Sequence, residues 1–306
     1  MKKGSVHLTS ANRRHDRQSF FKYMSARTAN IVLTHRSLRW SSPVLFNDPL
    51  DVPREMSFGI TPKDIVEALS RRMANLIEYP PEVTSDLEPK VRLIIDTVKN
   101  GISPELKVEL LAGLKETASS NRPTSDSMDS LRAMWRSFIP DFRILCLTES
   151  PDHLAMWYHY ADQYRGVVLE FRCDDVLDSA WLAARPVTYP SEKPAVYTAD
   201  GWATLLTMPH KLAIQTMIDL STFTKVPDWS YEREWRITSF KRPDDTGPFT
   251  DYKFHPIELA AVYLGPMIAV SDREAIVSLA KNYPSVVVWD VSIGMNRELQ
   301  FNAADG

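Results

Sequence analysis

Apolar and polar positions follow two different periods along this 306-residue chain, and each period predicts one kind of element. Apolar side chains at every second position, or in short unbroken runs, predict strands, whereas a spacing of three and four predicts helices with one buried face. A helix is predicted over 26–34, between the first two strands. The predicted strands are Phe20–Met24, Leu38–Ser42, Arg143–Leu147, Val167–Phe171, Trp235–Phe240, Leu259–Leu264 and Val286–Val291.

The stretch from 61 to 138 differs from the rest because it carries helix signals only. Pro62 and Pro104 suit the first position of a helix, where the missing N–H of proline costs nothing. Apolar residues recur at helical spacing after each proline, and the polar segment Ser119–Ser130 indicates a loop. The pattern predicts an all-helical insertion.

Two later helices carry start signals of their own. Ser150 can cap a helix whose first position is Pro151 and which ends near Gly166. Ser271 has Glu274 three residues later, which is the spacing of a capping box.

Strand signals outside one helical insertion favour an α+β fold built on a mixed or antiparallel sheet. We expect a polar, flexible and solvated tail over 1–19, which includes the basic residues Arg13, Arg14, His15 and Arg17. The core is predicted to combine 20–60 with 139–306, and the helical insertion to cover 61–138.

Glycine usage excludes several nucleotide-binding loops. The chain has ten glycines and 21 prolines, and no two glycines lie within ten positions of each other. Dinucleotide fingerprints, P-loops and kinase phosphate loops need clustered glycines so that backbone N–H groups can approach phosphates. Any phosphate would therefore have to be bound by side chains.

Charge and hydropathy favour a cytoplasmic protein without a strong signal for nucleic acid or membrane. The net charge is −3, and the longest apolar run, 259–270, has 12 residues where a membrane span needs about 20. No signal-peptide core is present. Cys146 and Cys173 lie in predicted strands, and the histidines lack close ligand spacing, so we expect free thiols and no metal cofactor.

The densest cluster of polar and aromatic residues is the segment from Lys225 to Arg236. If residues 231–237 form a strand, Glu232, Glu234 and Arg236 share one face, with the two carboxylates about 7 Å apart. Such a pair can perform acid/base catalysis or stabilise a developing cation. The alternative is an exposed strand face with alternating charges.

A second candidate is the turn that contains Asn47, Asp48 and Asp51. Asp48 precedes Pro49, which favours extended backbone, and Asn and Asp offer side-chain groups for hydrogen bonds. These residues either orient a polar ligand or tie the turn to neighbouring backbone.

The third candidate is the aromatic-rich helix that contains Trp157 and Tyr160. Aromatic side chains point in nearly every direction around this helix, so core packing is favoured over a ligand-binding surface.

At these same segments the chain resembles a bacterial family of unknown function, DUF2971. Order and approximate spacing of the motifs agree over most of the chain, and 61–138 is the variable part. The residues that carry the resemblance are Phe21-Lys22-Tyr23, Leu38 to Pro43, Phe46 to Asp51, Cys146 to Ser150, Met156 to Asp162, Gly166 to Phe171, and Lys225 to Arg236.

The order of these elements is also similar to that of compact ADP-ribosyltransferases. That resemblance implies Glu234 or Glu232 as the catalytic carboxylate and Lys22 as the phosphate contact. It also implies NAD as substrate, bond cleavage through an oxocarbenium-like ion, and an aromatic stacking surface. The residues expected to bind substrate are Lys22, Tyr23, Trp40, Ser41, Asn47, Asp48, Asp51, Trp157, Tyr160 and Arg236.

The leading hypothesis is therefore an NAD-consuming transferase or hydrolase, acting as a toxin or phage-defence effector on an unknown macromolecular target. Two alternatives stay open. One is a non-enzymatic binding or regulatory protein whose motif residues form a buried polar and aromatic network. The other is a metal-dependent nuclease or hydrolase with Asp48, Asp51, Glu232 and Glu234 as ligands.

Overall fold

The computed structural model describes residues 9–53, 60–119 and 125–304, and the side chains of 125–131 are not described. The strands are β1 (Ser19–Met24), β2 (Ser37–Ser41), β3 (Phe142–Thr148), β4 (Val167–Arg172), β5 (Arg185–Pro186), β6 (Glu234–Phe240), β7 (Phe249–Lys253), β8 (Leu259–Leu264), β9 (Val287–Ile293) and β10 (Leu299–Ala303). The helices are α1 (Ala26–His35), α2 (Pro62–Glu78), α3 (Pro89–Lys99), α4 (Pro104–Ser119), α5 (Ser125–Phe138), α6 (Leu154–Tyr160), α7 (Ala199–Leu206), α8 (His210–Thr222) and α9 (Val270–Ala280).

The strands of the described residues form one ten-stranded sheet, and the predicted α+β fold is confirmed. The order β10-β9-β8-β4-β1-β3-β2-β7 runs across the sheet, with β6 on the second edge of β3 and β5 on β6. The pairs are antiparallel except β8 with β9, which run parallel. The sheet is therefore mixed, which is one of the two forms that the sequence pattern favours.

The two faces of the sheet carry separate hydrophobic cores, because successive strand residues point to opposite faces. Phe20 belongs to the core that α1 and α9 cover. Its neighbour Phe21 belongs to the core that Trp157 of α6 covers. The first face is called the α1/α9 face below, and the second the α6 face.

One edge of β3 is divided between two strands. β2 pairs with β3 at Ile144, and β1 pairs with it at Thr148, so the two strands diverge around Cys146. The Lys22 ammonium donates to the carbonyl oxygen of Cys146 at 2.7 Å. A side chain thus occupies this backbone acceptor at the point where the edge divides.

By its internal contacts the chain divides into two compact units. The sheet unit comprises Met1–Phe46, Pro140–Thr188 and Asp228–Gly306, and the helical unit comprises Asn47–Ile139 and Tyr189–Pro227. This grouping adds residues 47–60 and 189–227 to the helical region that the sequence pattern bounds at 61 and 138. A small core around Ile77 and Ile95 stabilises the helical unit.

The helix start predicted at Pro62 is confirmed, whereas two later predictions of helix starts are wrong. Thr61 and Asp64 form a reciprocal capping box, and Pro62 takes the first helical position of α2. The predicted start at Pro151 is wrong, because α6 begins at Leu154 after His153. The capping box predicted at Ser271 is also wrong: α9 begins at Val270 after Ala269, without a side-chain cap.

The predicted loop over Ser119–Ser130 is wrong from Ser125 onward, where α5 begins. Residues 120–124 lie outside the described part of the chain. None of the helices that the structure describes is long and apolar enough to cross a bilayer.

Residues 9–18 differ from the flexible tail that their polarity predicts. Arg13 donates to both carboxylate oxygens of Asp175, through Nε at 2.9 Å and Nη2 at 2.5 Å. His15 packs edge-on against Phe20 and Trp235. Charge pairs and ring contacts therefore hold this segment on the sheet unit. Residues 1–8 of the predicted tail lie outside the described residues.

Candidate functional site

The Glu-x-Glu-x-Arg segment is not one continuous strand. Glu232 ends a 3₁₀ turn, Pro227–Glu232, and β6 begins only at Glu234. Between them Arg233 has a φ of 43°, a left-handed conformation that is uncommon outside glycine and often found at functional sites. The predicted common face of Glu232, Glu234 and Arg236 is therefore wrong for Glu232, because the kink at Arg233 breaks the alternation.

Glu234 and Arg236 form a buried ion pair on β6. Nε of Arg236 donates to Oε1 of Glu234 at 2.8 Å, and Nη2 donates to Oε2 at 2.8 Å. Their side chains are 6% and 0% exposed. The guanidinium also lies 5.6 Å from the centroid of the Phe46 ring. This two-point geometry fixes both side chains and compensates both charges.

Glu232 is held by a different partner. The Tyr160 hydroxyl, on α6, donates to Oε1 of Glu232, and the Thr148 hydroxyl donates to the Glu232 carbonyl oxygen at 2.6 Å. Burial and the neighbouring Glu232 carboxylate raise the pKa of Tyr160 above its ordinary value. The phenol therefore stays protonated and donates to the carboxylate.

Aromatic rings continue outward from this carboxylate. The Tyr231 ring stacks on His153 with centroids 5.5 Å apart and contacts Trp229 at 5.9 Å. Tyr160 is 38% exposed, so the aromatic cluster reaches the surface. The carboxylate itself is buried, with Glu232 3% exposed.

The Cys146 thiol lies next to the Glu234 and Arg236 pair, since Cys146 is directly opposite Arg236 in the sheet. Burial, and then the Glu234 carboxylate, raise the pKa of this thiol above its ordinary value. Burial also raises the pKa of Cys173 to about 11. Both cysteines are free, and neither environment favours a reactive thiolate.

Tyr23 and Trp157 contribute to the core on the α6 face. Their rings meet edge to face with centroids 5.5 Å apart. The Tyr23 hydroxyl donates to the Ser150 carbonyl at 3.0 Å, and the Trp157 indole donates to the Pro151 carbonyl at 2.6 Å. Both polar atoms are used within the protein, which is the arrangement expected of structural aromatic residues.

The sheet separates Trp40 from the carboxylate pair. Trp40 belongs to the core on the α1/α9 face, whereas Glu234 and Arg236 alternate onto the α6 face. Ser41, the next residue of β2, pairs with Ile144 and shares the α6 face with Arg236. Trp40 therefore does not join the carboxylate site in which the ADP-ribosyltransferase resemblance places it.

Lys22 starts from the opposite face of the sheet to Glu234. It is paired with Leu169 of β4, which belongs to the core on the α1/α9 face, whereas its neighbour Phe21 faces the α6 side. Its ammonium is bound to the Cys146 carbonyl oxygen. This position favours a structural role at the divided edge over the predicted phosphate contact.

The turn with Asn47, Asp48 and Asp51 begins the helical unit. Asp48 accepts from the Leu50 amide at 2.8 Å, which is the local turn bond expected of Asp at such a position. Asp51 accepts from the Val52 amide at 2.8 Å and is 3.6 Å from Nζ of Lys225, with both side chains buried. Asn47 is exposed.

A cavity of about 480 Å³ in the sheet unit was not predicted as a site. Its wall includes Trp40, Trp181, Tyr252, Phe254 and Glu258. The lining residues come from three separate parts of the sequence, around 40, 177–181 and 252–258, and lack a shared motif, so only Trp40 carried a usable signal. The cavity is on the α1/α9 face, since Trp40 and Trp181 belong to that core.

Within the part of the chain that the structure describes, no group of three or more His, Cys, Asp or Glu side chains could hold a metal ion. The carboxylates named for a metal site have other partners. Glu234 is paired with Arg236, and Asp51 with Lys225.

Residues 156–237 match the model of DUF2971, described as a protein family of unknown function. The matched region runs from α6 to β6 and contains Trp157, Tyr160, Glu232, Glu234 and Arg236. The family resemblance is confirmed there, and the motif pieces before residue 156 stay a prediction. The search of curated proteins and that of solved structures each found no match.

Proposed function

We propose that this chain, with its DUF2971 region, is a non-enzymatic binding protein in which the Glu-x-Glu-x-Arg segment stabilises the fold. The observation that carries the proposal is the pairing of Glu234, whose two carboxylate oxygens both accept from Arg236 inside the sheet. A catalytic carboxylate has to present an oxygen to substrate. Using Glu234 in that way would disrupt a buried ion pair.

The surrounding contacts support the same role. Glu232 is tied to α6 through Tyr160 and to β3 through Thr148, so the segment connects three elements. A fully connected polar network of this kind rigidifies a core and selects one packing arrangement. The family match covers this segment but attaches no activity to it.

The test is the double substitution Glu232→Gln with Glu234→Gln, compared with the wild type in two assays. We expect a marked loss of thermal stability, and no release of nicotinamide from NAD by either protein. Asp251→Asn, in an exposed ion pair with Arg39, is the control and should melt like the wild type. Wild-type NAD turnover that the double substitution abolishes without lowering stability would overturn the proposal.

A second candidate is the NAD-consuming, ADP-ribosyltransferase-like activity of a cytoplasmic toxin or phage-defence effector. The kink at Arg233 favours it, because left-handed non-glycine backbone is often retained where it positions a functional group. The kink turns Glu232 toward Tyr160 and the aromatic cluster around Tyr231. Under this alternative Glu232→Gln alone abolishes turnover, and Glu234→Gln acts mainly through stability.

A further inference from the structure

We propose that the cavity on the α1/α9 face binds a small organic cation, such as an alkylated ammonium compound. The proposal rests on the function proposed above, for which it names a ligand class and a site. The cavity is lined by aromatic rings and carboxylates, and its volume of about 480 Å³ lies within the range of small-molecule sites, about 300–1,000 Å³.

Glu258 is a buried carboxylate in the wall of the cavity. This side chain lines the cavity and is only 5% exposed. Its Oε2 accepts from the His255 amide at 2.6 Å, where it caps the 3₁₀ turn Pro256–Glu258. Among the described residues no cation lies within ion-pair distance of this carboxylate. A buried carboxylate without a counter-charge favours a ligand that brings one.

Aromatic rings form part of the wall of the cavity. Four aromatic side chains line the cavity, Trp40, Trp181, Tyr252 and Phe254, and the Trp40 and Tyr252 rings contact each other with centroids 4.7 Å apart. The Arg242 guanidinium already lies over the Tyr252 ring, 4.4 Å from its centroid. The faces of aromatic rings carry negative electrostatic potential and attract cations, most strongly when water is excluded. Rings combined with a carboxylate are suited to a cation that also has apolar surface.

The other charged groups at the cavity do not reverse this preference. Asp178 adds a second carboxylate, whose oxygens accept from Ser10 and Asn12. Lys253 also lines the cavity, but its Nζ donates to the His35 carbonyl oxygen at 2.6 Å. Two carboxylates, those of Asp178 and Glu258, therefore line the cavity against the one ammonium of Lys253.

The experiment uses the full chain and two probes that differ in charge but hardly in shape, choline and its neutral carbon analogue 3,3-dimethylbutan-1-ol. Binding is followed by calorimetry and by tryptophan fluorescence, since Trp40 and Trp181 line the cavity. We expect choline to bind at least ten-fold more tightly than the neutral analogue. Equal affinities, or no choline binding, would overturn the proposal.

Two variants locate the site. Glu258→Gln keeps an acceptor for the His255 amide and should weaken choline binding about ten-fold, whereas Glu298→Gln, outside the cavity wall, should leave it unchanged. Tyr252→Leu removes one ring and serves if Glu258→Gln does not fold. Unchanged choline affinity in a folded cavity variant would also contradict the proposal. NAD turnover by the wild type would refute the proposed non-enzymatic function, but it would not change the affinities for choline and its neutral analogue. The two proposals can therefore fail separately.

Discussion

The guanidinium of Arg236 binds the carboxylate of Glu234 at two points, through Nε and Nη2, each at 2.8 Å. The two residues stand two positions apart on β6 and therefore share a face. Because both are buried, each charge is compensated mainly inside the protein. The pair follows from local sequence, and its burial follows from the packing of the sheet unit.

Glu234→Gln is expected to destabilise the protein by about 3–5 kcal/mol, because it leaves the charge of Arg236 buried without its carboxylate partner. Urea unfolding measures the difference. Asp251→Asn removes the partner of Arg39 in an exposed pair and should change the free energy of unfolding by about 0–1 kcal/mol. Similar effects of the two substitutions would refute a structural role for Glu234.

Lys22→Met is expected to lower stability by about 1.5 kcal/mol, because the Cys146 carbonyl oxygen loses a charged donor at the divided edge of β3. Lys253→Met, which removes an exposed bond to the His35 carbonyl oxygen, should change stability by about 0.5 kcal/mol or less. Thermal unfolding of both variants checks the difference. A Lys22 variant as stable as the wild type would favour a ligand-binding role for this lysine.

Gly201→Ala tests the packing of α7 in the helical unit. A Cβ atom at 201 would lie 2.0 Å from the Ala195 carbonyl oxygen, so we expect a loss of about 3 kcal/mol. Gly113 on α4 has no atom within 4 Å of such a Cβ, and Gly113→Ala should stabilise the helix by about 1 kcal/mol. Denaturant midpoints that shift in the same direction for both variants would contradict this packing.

The contact between Arg13 and Asp175 should make the stability of the protein depend on pH. The hydrogen bond from Arg13, followed by the Ser10 amide, lowers the pKa of Asp175 from 3.8 to about 2. A carboxyl whose pKa is lower in the folded state stabilises it above the unfolded pKa and loses that contribution as the pH falls. Asp175→Asn should therefore lower the urea midpoint at pH 6, and the gap to wild type should shrink below pH 4. A constant gap would contradict the Arg13 contact.

Seven of the ten strands of the described residues could be predicted from the sequence because each carries its own apolar pattern, whereas β5, β7 and β10 were missed. The predicted strand over 259–264 coincides with β8, and α1 differs from its prediction by one residue. Helix starts were less predictable where several residues could act as caps. The side chain of Ser150 suits an N-cap, yet α6 begins at Leu154, and its Trp157 lies in one core with Phe21 and Tyr23 of β1.

The candidate site was predictable only where it depends on neighbouring residues. Glu234 and Arg236 share a face because they alternate on one strand, but the left-handed backbone of Arg233 has no signal in the residue type. The surroundings of Trp40 were harder to predict from the sequence, because the sheet face that its side chain occupies is set by the pairing of β2 with β3 and β7. Contacts between residues far apart in the sequence, such as those that line the cavity with Glu258, form only in the folded sheet.

The most direct test of the structural role of the carboxylate pair is a double-mutant cycle with Glu234→Met and Arg236→Met, measured by urea unfolding. Each single substitution leaves a buried charge without its partner, whereas the double substitution leaves none. We predict that the double variant is more stable than either single variant. A double variant that loses the sum of the two single losses would contradict the account.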